Sequence, residues 1–390
     1  MAVKIVRQAN KIALLGAPTS AAGMSGGQEG APAALRSAGL VERLRIVGYE
    51  VNDLGDDPVN LFKADNESPR ARNLSSVIAS LEALKPRVEQ AVKSSALPLI
   101  ISGDCSVAMA TVAGVRRYFR KVSMIYMDRD ADLNTPATTP SGCVDGMVVS
   151  HLTGRGASEM VRFWGDPPLV REPDLALFGV ARLDPPEEQL LATSPLRSYL
   201  AADVQRIGAA VAAHAAIDRI RGNGYQFVLH VDVDAIADFS ATNYPGSGGL
   251  SLAEVREALV VFVTQKELAA LEIAAYNPSK DPDGKGAKLL VDLLAEVLGA
   301  RLEALKSSEG TAAIASASAE IPGPAGEGFG VAAETRSEQK LILSSHGEAW
   351  SSDLLEEPSD RASDAESSSQ SPNPDAGATG ASEESSGSHS

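Results

Sequence analysis

Short apolar segments alternate with segments of helical periodicity along most of the chain up to residue 306. Apolar runs of about four to eight residues are typical of strands buried on both faces, whereas apolar residues recurring at three and four positions indicate helices. Because parallel strands need crossover connections, this alternation predicts a parallel sheet with helices on both faces. We predict an α/β fold of three layers, αβα, with a mostly parallel central sheet.

The predicted elements are spaced as such a fold requires. Strands are predicted over Ile12–Leu15, Leu97–Ser102, Val122–Met127, Leu175–Val180, Phe227–Val231 and Leu271–Ala275. Helices are predicted over Ala33–Leu44, Leu74–Val92, Val107–Arg117, Pro186–Leu200, Gly208–Arg221, Leu252–Thr264 and Lys285–Lys306.

The composition changes near residue 306. Residues 307–390 contain 15 acidic and 3 basic residues, so they carry −12 of the formal net charge of −16. They are rich in Ser, Ala, Gly, Pro and Glu, and they hold too little apolar surface to offset the entropy of ordering. We predict one domain over residues 1–306 and a disordered acidic tail over residues 307–390.

The charge and composition of the body exclude several function classes. Residues 1–306 contain 36 acidic and 32 basic residues, without the clustered Lys and Arg that nucleic-acid binding requires. No apolar run approaches the roughly 20 residues of a membrane span, and the first residues contain no apolar export signal. Two cysteines, Cys105 and Cys143, cannot build a disulfide framework. We expect a cytoplasmic protein with no nucleic-acid or membrane partner.

Acidic residues follow three of the predicted strands. In parallel α/β sheets, ligand-binding groups lie at the carboxyl ends of the strands. The segments that follow the second, third and fifth predicted strands contain GDCS, DRDAD and DVD. Besides Cys105, the groups of interest in these segments are Asp128, Asp130, Asp132, Asp232 and Asp234. Alternate residues of an extended chain share one face, so these carboxylates can converge.

Such a cluster of carboxylates predicts a metal site. Carboxylates without a counter-charge repel each other and have raised pKa values, so the cluster is stable near neutral pH mainly with divalent cations between them. One aspartate pair after a strand is more often a turn former or helix N-cap, but three acidic segments after three strands favour a metal site. Oxygen ligands favour Mn(II) or Mg(II), whereas a Cys105 thiolate favours softer metals.

The same motifs, in the same order, resemble those of the arginase, agmatinase and formiminoglutamase family, the ureohydrolases. The resemblance covers about residues 11–305. GDCS is similar to the end of the family's GGDH segment and its continuation, and MDRDADLNTPATTPSG is similar to its DAHTDxNTPxTTxSG segment. VDVD with the later Gly248-Gly249-Leu250 resembles the DVD segment and its following GG, and Asn277-Pro278 falls where the family has Asn-Pro.

The resemblance implies hydrolysis of a guanidinium or amidine carbon–nitrogen bond by metal-bound hydroxide, with two Mn(II) ions per chain. By position, Asp128 and Asp232 bridge both ions. Asp132 binds one ion and the hydroxide, and Asp234 binds the other ion. The resemblance also implies a homo-oligomer, either a trimer or a hexamer.

Three further positions match the family's substrate-binding residues. Asn134, Thr139 and Ser141 fall where arginases hold the α-carboxylate of their amino-acid substrate. The resemblance therefore implies a small guanidino or amidine compound as the substrate.

Four positions depart from the family pattern. Cys105 replaces a metal-binding histidine, Asp130 replaces the histidine of DAHTD, and Asp145 replaces a histidine that shuttles protons. Ala275 replaces the Glu that grips the guanidinium group, which argues against ordinary arginine hydrolysis. Cys105, Asp145 and Ala275 resemble the pattern of a bacterial branch that also has a YNP…DPDG segment, as this chain does. We include Cys105 and Asp130 in the metal ligands and take Asp145 as the acid/base.

Several residues keep alternative interpretations. Cys105 is a ligand, a small buried hydrophobic residue or the disulfide partner of Cys143. His230 lies just before Asp232, and a packed core histidine is the more common case than one next to the ligands. His151 is expected at the surface rather than as a proton shuttle. Arg129 is expected to point away from its neighbouring aspartates.

Two functions remain. The first is a binuclear Mn-dependent hydrolase of carbon–nitrogen bonds other than peptide bonds, with Asp132 and Asp145 as catalytic residues. The second is an arginase-like protein with weakened or no catalysis and a binding or scaffolding role, because the ligand histidines and the guanidinium-gripping Glu are missing. The first is favoured, since buried carboxylates without a metal are costly to retain.

Overall fold

The computed structural model describes residues 7–221 and 226–319, and these residues form one eight-stranded sheet. Its strands are β1 (Lys11–Ala17), β2 (Glu50–Asp56), β3 (Leu97–Ser102), β4 (Val122–Met127), β5 (Leu175–Val180), β6 (Arg197–Leu200), β7 (Gln226–Asp232) and β8 (Leu268–Ala274). Their spatial order is β2-β1-β3-β8-β7-β4-β5-β6, and every neighbouring pair is parallel. The predicted parallel sheet is confirmed.

Apolar composition explains why six strands are predicted and two are missed. Every residue of β3, β4, β5 and β8 is buried, as expected for strands covered on both faces. The two missed strands, β2 and β6, form the edges of the sheet, and only Val51 is buried in them. Edge strands need no continuous apolar run, so the hydrophobic pattern does not reveal them.

Helices cover both faces of this sheet, which completes the predicted three layers. They are α1 (Ala31–Ser37), α2 (Leu40–Ile46), α3 (Leu74–Lys93), α4 (Ala108–Arg116), α5 (Val148–Leu152), α6 (Ser158–Arg162), α7 (Pro185–Thr193), α8 (Ala201–Ile207), α9 (Ala209–Ile220), α10 (Leu252–Val263) and α11 (Lys285–Ala319). One layer contains α3 and α4 with α5 and α6, and the other contains α1, α2, α9, α10 and α11. Every helix in residues 7–221 and 226–319 is too short or too polar to span a membrane.

Three helix predictions differ from the structure. The helix predicted over Ala33–Leu44 is two helices, because Gly39 between them has a φ of 88°, in the left-handed region. The helix predicted over Pro186–Leu200 ends at Thr193, and the chain then enters β6. The last helix continues past Lys306 to Ala319, so the predicted domain boundary falls inside it. The predicted tail from residue 320 onward lies outside the described residues.

The sheet order brings the acidic segments together. β3, β8, β7 and β4 are consecutive in the sheet, so their carboxyl ends form one continuous edge. GDCS follows β3, DRDAD follows β4, and Asp232 at the end of β7 begins the DVD segment. The carboxyl edge of a parallel sheet is where α/β proteins bind ligands, and it is where this chain concentrates its buried acids.

Candidate metal centre

A cavity of about 300 Å³ opens at this edge of the sheet. All ten residues predicted for the site line it, which are Cys105, Asp128, Asp130, Asp132, Asn134, Thr139, Ser141, Asp145, Asp232 and Asp234. Tyr244 and Arg182 also line the cavity and were not predicted. The predicted site residues therefore converge on one cavity, and the role of each residue stays a prediction.

Two groups of side chains within the cavity region have the spacing of metal ligands. In the first group, carboxylate oxygens of Asp128, Asp232 and Asp234 lie within 4.8 Å of one another. In the second group, the Cys105 Sγ, a carboxylate oxygen of Asp128 and a ring nitrogen of His230 lie within the same distance. Asp128 belongs to both groups, so two adjacent cation positions can share it.

The two DxD segments orient their first aspartate by the same local hydrogen bond. The backbone N–H of Asp130 donates to Asp128 Oδ1 at 2.7 Å, and that of Asp234 donates to Asp232 Oδ1 at 2.7 Å. Each hydrogen bond fixes the Oδ1 atom of the carboxylate, and Oδ2 is available for another contact. At Asp232 the other oxygen, Oδ2, accepts a hydrogen bond from the Cys105 thiol at 2.9 Å.

Burial raises the pKa values of these carboxylates. Burial, followed by repulsion from Asp232, raises the pKa of Asp128 well above its ordinary value. The pKa of Asp232 is raised well above its ordinary value by burial and by Asp234, and burial raises the pKa of Asp234 to about 6. Each shift reflects negative charge that is costly to hold without a counter-charge, so the cluster is suited to divalent cations.

Each ligand group also contains one polar atom without a protein partner. Asp234 Oδ1 and a ring nitrogen of His230, Nε2, are buried and make no hydrogen bond within the described residues. Buried polar groups are nearly always satisfied. These two atoms therefore mark where the protein leaves room for further ligands, and the residues present fit a divalent cation in each group.

Arg129 differs from its expected orientation. Its guanidinium does not point away from the acidic cluster, because Nη2 lies 3.2 Å from Asp234 Oδ2 and also donates to the Tyr244 carbonyl at 2.5 Å. The side chain is 6% exposed. Arg129 therefore places one buried positive charge directly against the cluster, on the opposite oxygen of Asp234 from the unpartnered Oδ1.

Asp130 and Asp132 are bound to protein groups instead of joining either ligand group. Arg182 forms a two-point ion pair with Asp130, in which Nη2 lies 2.5 Å from Oδ2 and Nε contacts Oδ1. The Tyr126 hydroxyl donates to Asp132 Oδ2 at 2.5 Å. Asp132 has a positive φ of 51°, so its backbone turns sharply there. The sequence could not indicate these partners.

Asp145 contacts the backbone of Cys105. Its Oδ1 accepts a hydrogen bond from the Cys105 backbone N–H at 2.8 Å. Burial, followed by repulsion from Asp104, raises the pKa of Asp145 to about 8. A carboxyl group with this pKa exchanges protons near neutral pH, which suits the acid/base role predicted for it. Both Cys105 and Cys143 are free thiols, so the disulfide alternative does not occur in this structure.

The GDCS segment is held very close to its neighbours. A Cβ at Gly103 would lie 1.7 Å from the Thr19 carbonyl oxygen, so only glycine fits there. The Gly103 N–H donates to the Ala17 carbonyl at 3.0 Å, and its carbonyl accepts from Ala275 N–H at 2.8 Å. These bonds fix the backbone that presents Cys105.

The predicted substrate-binding residues line the same cavity as the carboxylates. Asn134 Nδ2 donates to Asp184 Oδ2 at 2.8 Å, and Thr139 Oγ1 accepts from the Gly142 N–H at 2.9 Å. Ser141 Oγ accepts from the Cys143 N–H at 3.1 Å. These side chains are therefore ordered by local hydrogen bonds, and their substrate role stays a prediction.

Two histidines also differ from their expected environments. His151 is buried rather than exposed, and burial lowers its pKa to about 4. It does not line the cavity among the described residues. His230 is packed in the core as expected, but it also reaches the second ligand group. The period of two that joins Asp232 to Asp234 extends back to His230, and this signal was available in the sequence.

Known proteins share this architecture. Residues 10–299 match the model of the Arginase family. The arginase of Bacillus subtilis is 30% identical over 292 residues, which cover 75% of this chain and 98% of that protein. The structure of arginase from Bacillus caldovelox aligns with a TM-score of 0.68 at 28% identity, over 74% of this chain and 98% of the other.

A more distant structure shares the fold alone. Formimidoylglutamase from Bacillus subtilis aligns with a TM-score of 0.61 at 18% identity, over 75% of this chain and 87% of the other. The family match, the arginase relatives and the parallel sheet with acids at its carboxyl edge agree with one another. This chain belongs to the arginase family.

Proposed function

We propose that this chain is a binuclear metal-dependent hydrolase that cleaves a carbon–nitrogen bond of a small guanidino or amidine compound. The observation that carries the proposal is that carboxylate oxygens of Asp128, Asp232 and Asp234 lie within 4.8 Å of one another in the lining of a cavity of about 300 Å³, in a member of a hydrolase family. Cavities of this size accommodate small-molecule ligands. Mn(II) is the cation we propose for the all-oxygen group.

The chemistry needs an activated water molecule and a stabilised tetrahedral intermediate. A pair of divalent cations supplies both when bound, because it lowers the pKa of water and offsets developing negative charge. Asp128 would hold both cations, and Asp232 and Asp234 would hold one each or share them. Cys105, Asp130 and Asp132 stay predicted ligands, of which Cys105 lies in a ligand group in this structure.

The chain's own residues supply proton transfer and orientation. Asp145, whose pKa is about 8, can give a proton to a leaving amine at neutral pH. Asp132 lines the cavity beside it and is held by Tyr126, which suits an orienting role at the reacting centre. Asn134, Thr139 and Ser141 would bind a polar end of the substrate, such as an α-carboxylate, through hydroxyl and amide donors.

The test combines metal analysis with a product assay. We expect about two divalent ions per chain after Mn(II) loading, and release of urea, ammonia or another amide product from a panel of guanidino and amidine compounds. Asp232→Asn should lose metal and activity. Asp218→Asn, at a side chain that is 75% exposed, is the matched control and should retain both. Absence of bound metal in the loaded protein would end the proposal.

A second candidate function is a binding or scaffolding role without catalysis. The observation that favours it is the engagement of Asp130 by Arg182 and of Asp132 by Tyr126, because both carboxylates are then satisfied without a cation. A product whose release depends on Asp232 would exclude this alternative.

The remaining proposals rest on the family resemblance and composition. We propose a cytoplasmic homo-oligomer, a trimer or hexamer, in which the body predicted over residues 1–306 is the catalytic domain and the acidic tail begins after α11 (Lys285–Ala319). Sedimentation analysis of the full chain measures the assembly. Limited proteolysis locates the end of the domain.

A further inference from the structure

We infer that His230 and Cys105 form, with Asp128, a nitrogen–sulfur–oxygen ligand set, so that the two cation positions differ in chemistry. The second ligand group, formed by Cys105, Asp128 and His230, takes a borderline-soft cation of the Zn(II) type. The first ligand group, formed by Asp128, Asp232 and Asp234, takes a hard cation such as Mn(II). This inference rests on the proposed function, because it requires that the cavity binds two divalent ions.

The first support is the position of the His230 side chain. His230 is fully buried, and one of its ring nitrogens lies within 4.8 Å of the Cys105 Sγ and an Asp128 oxygen. Atoms bound to a common ion at about 2.0–2.3 Å lie at most about 4.6 Å apart. The three side chains therefore need only small adjustments to share one ion.

The second support is how the imidazole is held. His230 Nδ1 lies 3.1 Å from Glu272 Oε1, and Thr111 Oγ1 donates to the other Glu272 oxygen at 2.5 Å. The ring is stacked on Tyr126 at 4.3 Å between centroids. Metal-binding histidines typically donate their second N–H to a carboxylate in this way, which fixes the tautomer and the orientation of the ring.

The third support is the ring nitrogen of His230 that has no protein partner. With Nδ1 engaged by Glu272, Nε2 is the remaining ring nitrogen, and it is buried without a partner among the described residues. A buried imidazole nitrogen without a partner is costly, and a cation bound to it removes the cost. Packing alone gives no reason for an unsatisfied buried nitrogen on an imidazole that lies next to the Cys105 thiol and the Asp128 carboxylate.

The ligand types determine the metal preference. Thiolate and imidazole ligands select Zn(II) and related cations, whereas carboxylates suit Mn(II) and Mg(II). Cys105 binds as the thiolate, so its proton, now donated to Asp232, is released to solvent when the cation binds. The histidine of strand β7 thus supplies the nitrogen ligand that GDCS lacks.

The experiment measures metal content and spectra of the full chain rather than activity alone. Metal-stripped protein is dialysed against excess Mn(II) with Zn(II) limited to one ion per chain, because Zn(II) binds most sites more tightly than Mn(II), and we expect one ion of each per chain. Loading with Co(II) should give a thiolate-to-cobalt charge-transfer band that is lost in Cys105→Ser. His230→Gln should lose the Zn(II) ion and this band while retaining Mn(II). Asp234→Asn should retain the band and lose Mn(II).

Two further variants keep the test independent of folding. Glu272→Gln leaves the ligands in place, and we expect about 10–100-fold weaker Zn(II) binding from loss of the carboxylate that orients the ring. His151→Gln removes a buried histidine outside the cavity and should retain both metals. Thermal unfolding of the stripped proteins identifies any variant that is misfolded.

The outcomes separate this inference from the proposed function. Two ions in His230→Gln with unchanged Zn(II) affinity, or a Co(II) spectrum without a thiolate band in the wild type, would overturn the mixed ligand set and leave the hydrolase proposal standing. A wild-type chain that binds no divalent ion would overturn both.

Discussion

The aspartate segment after β4 and the one at the end of β7 hold their first aspartate in the same way, but their later carboxylates have different partners. Both fix their first aspartate with a 2.7 Å hydrogen bond from the backbone N–H two residues later. After β7, both carboxylates enter a ligand group. After β4, only Asp128 does, because Arg182 binds Asp130 and Tyr126 binds Asp132. Residue spacing therefore predicts which carboxylates reach the cavity, but their protein partners determine which remain available to a cation.

Asp128→Asn tests the residue that the two segments have in common. Removal of the charge shared by both ligand groups should abolish binding of at least one ion and reduce kcat/KM by about 10³-fold, since cations supply several kcal/mol to such reactions. Metal analysis and the product assay measure both effects. The same variant should raise the Tm of the metal-stripped protein, because it relieves repulsion among buried carboxylates.

The pH dependence of stability tests whether the β7 segment is strained without a cation. The pKa values of Asp234 and Asp145 are raised in the folded chain, to about 6 and about 8. The folded state thus holds more protons than the unfolded state, and this stability is lost as the pH rises through those values. Metal-stripped protein should be less stable at pH 8 than at pH 5, and Mn(II) should reduce the difference.

Thermal unfolding across this pH range, with and without chelator, measures the effect. Asp234→Asn should flatten the lower part of the profile and Asp145→Asn the upper part. A stripped protein that gains stability between pH 5 and pH 8 would contradict the assignment of raised pKa values to these residues.

Tyr126→Phe tests how Asp132 in the β4 segment is held. Loss of the hydroxyl leaves a buried carboxylate oxygen without its hydrogen bond, so we expect a loss of about 1–3 kcal/mol in unfolding free energy. Urea denaturation measures it. Tyr118→Phe, at a residue that is partly buried against the core, is the matched control and should change stability less.

Asp130→Asn should have the smallest effect. Its ion pair with Arg182 is on the cavity rim, and the Arg182 side chain is 61% exposed, so the loss should be within about 1 kcal/mol. The number of bound metal ions should not change. If one ion is lost, Asp130 is a metal ligand, as the family position of this residue predicts, and the contrast between the two segments is smaller than the structure indicates.

Most of the central sheet is predictable because its strands are nearly continuous apolar runs. The edge strands β2 and β6 are not, since they pair on one side and retain polar residues. The split between α1 and α2 depends on the left-handed Gly39, which lies within an otherwise helical pattern. The hydrophobic pattern predicts elements that are buried on both faces. It misses strands that pair on one side only, and it misses a helix break that depends on the backbone conformation of one glycine.

The site follows the same rule. Its ten predicted residues all line the cavity. The five aspartates of the two DxD segments do so because a strand followed by DxD has few ways to arrange its acids, whereas Asn134, Thr139, Ser141 and Asp145 were predicted from the resemblance to the family. The partners of Asp130 and His230 come from distant segments, Arg182 before α7 and Glu272 on β8. A local sequence pattern cannot predict these two pairs, because their members are 52 and 42 residues apart. These long-range contacts determine which carboxylates already have a protein partner and which are available to a cation.

The confinement of Gly103 has a consequence for how this site can change over evolution. Any side chain at this position would collide with the Thr19 carbonyl, and both backbone groups of Gly103 are committed to neighbouring segments. The backbone at the start of the loop that carries Cys105 is therefore fixed on both sides. A different metal preference is then more easily reached by exchanging side chains around this frame than by moving the frame itself.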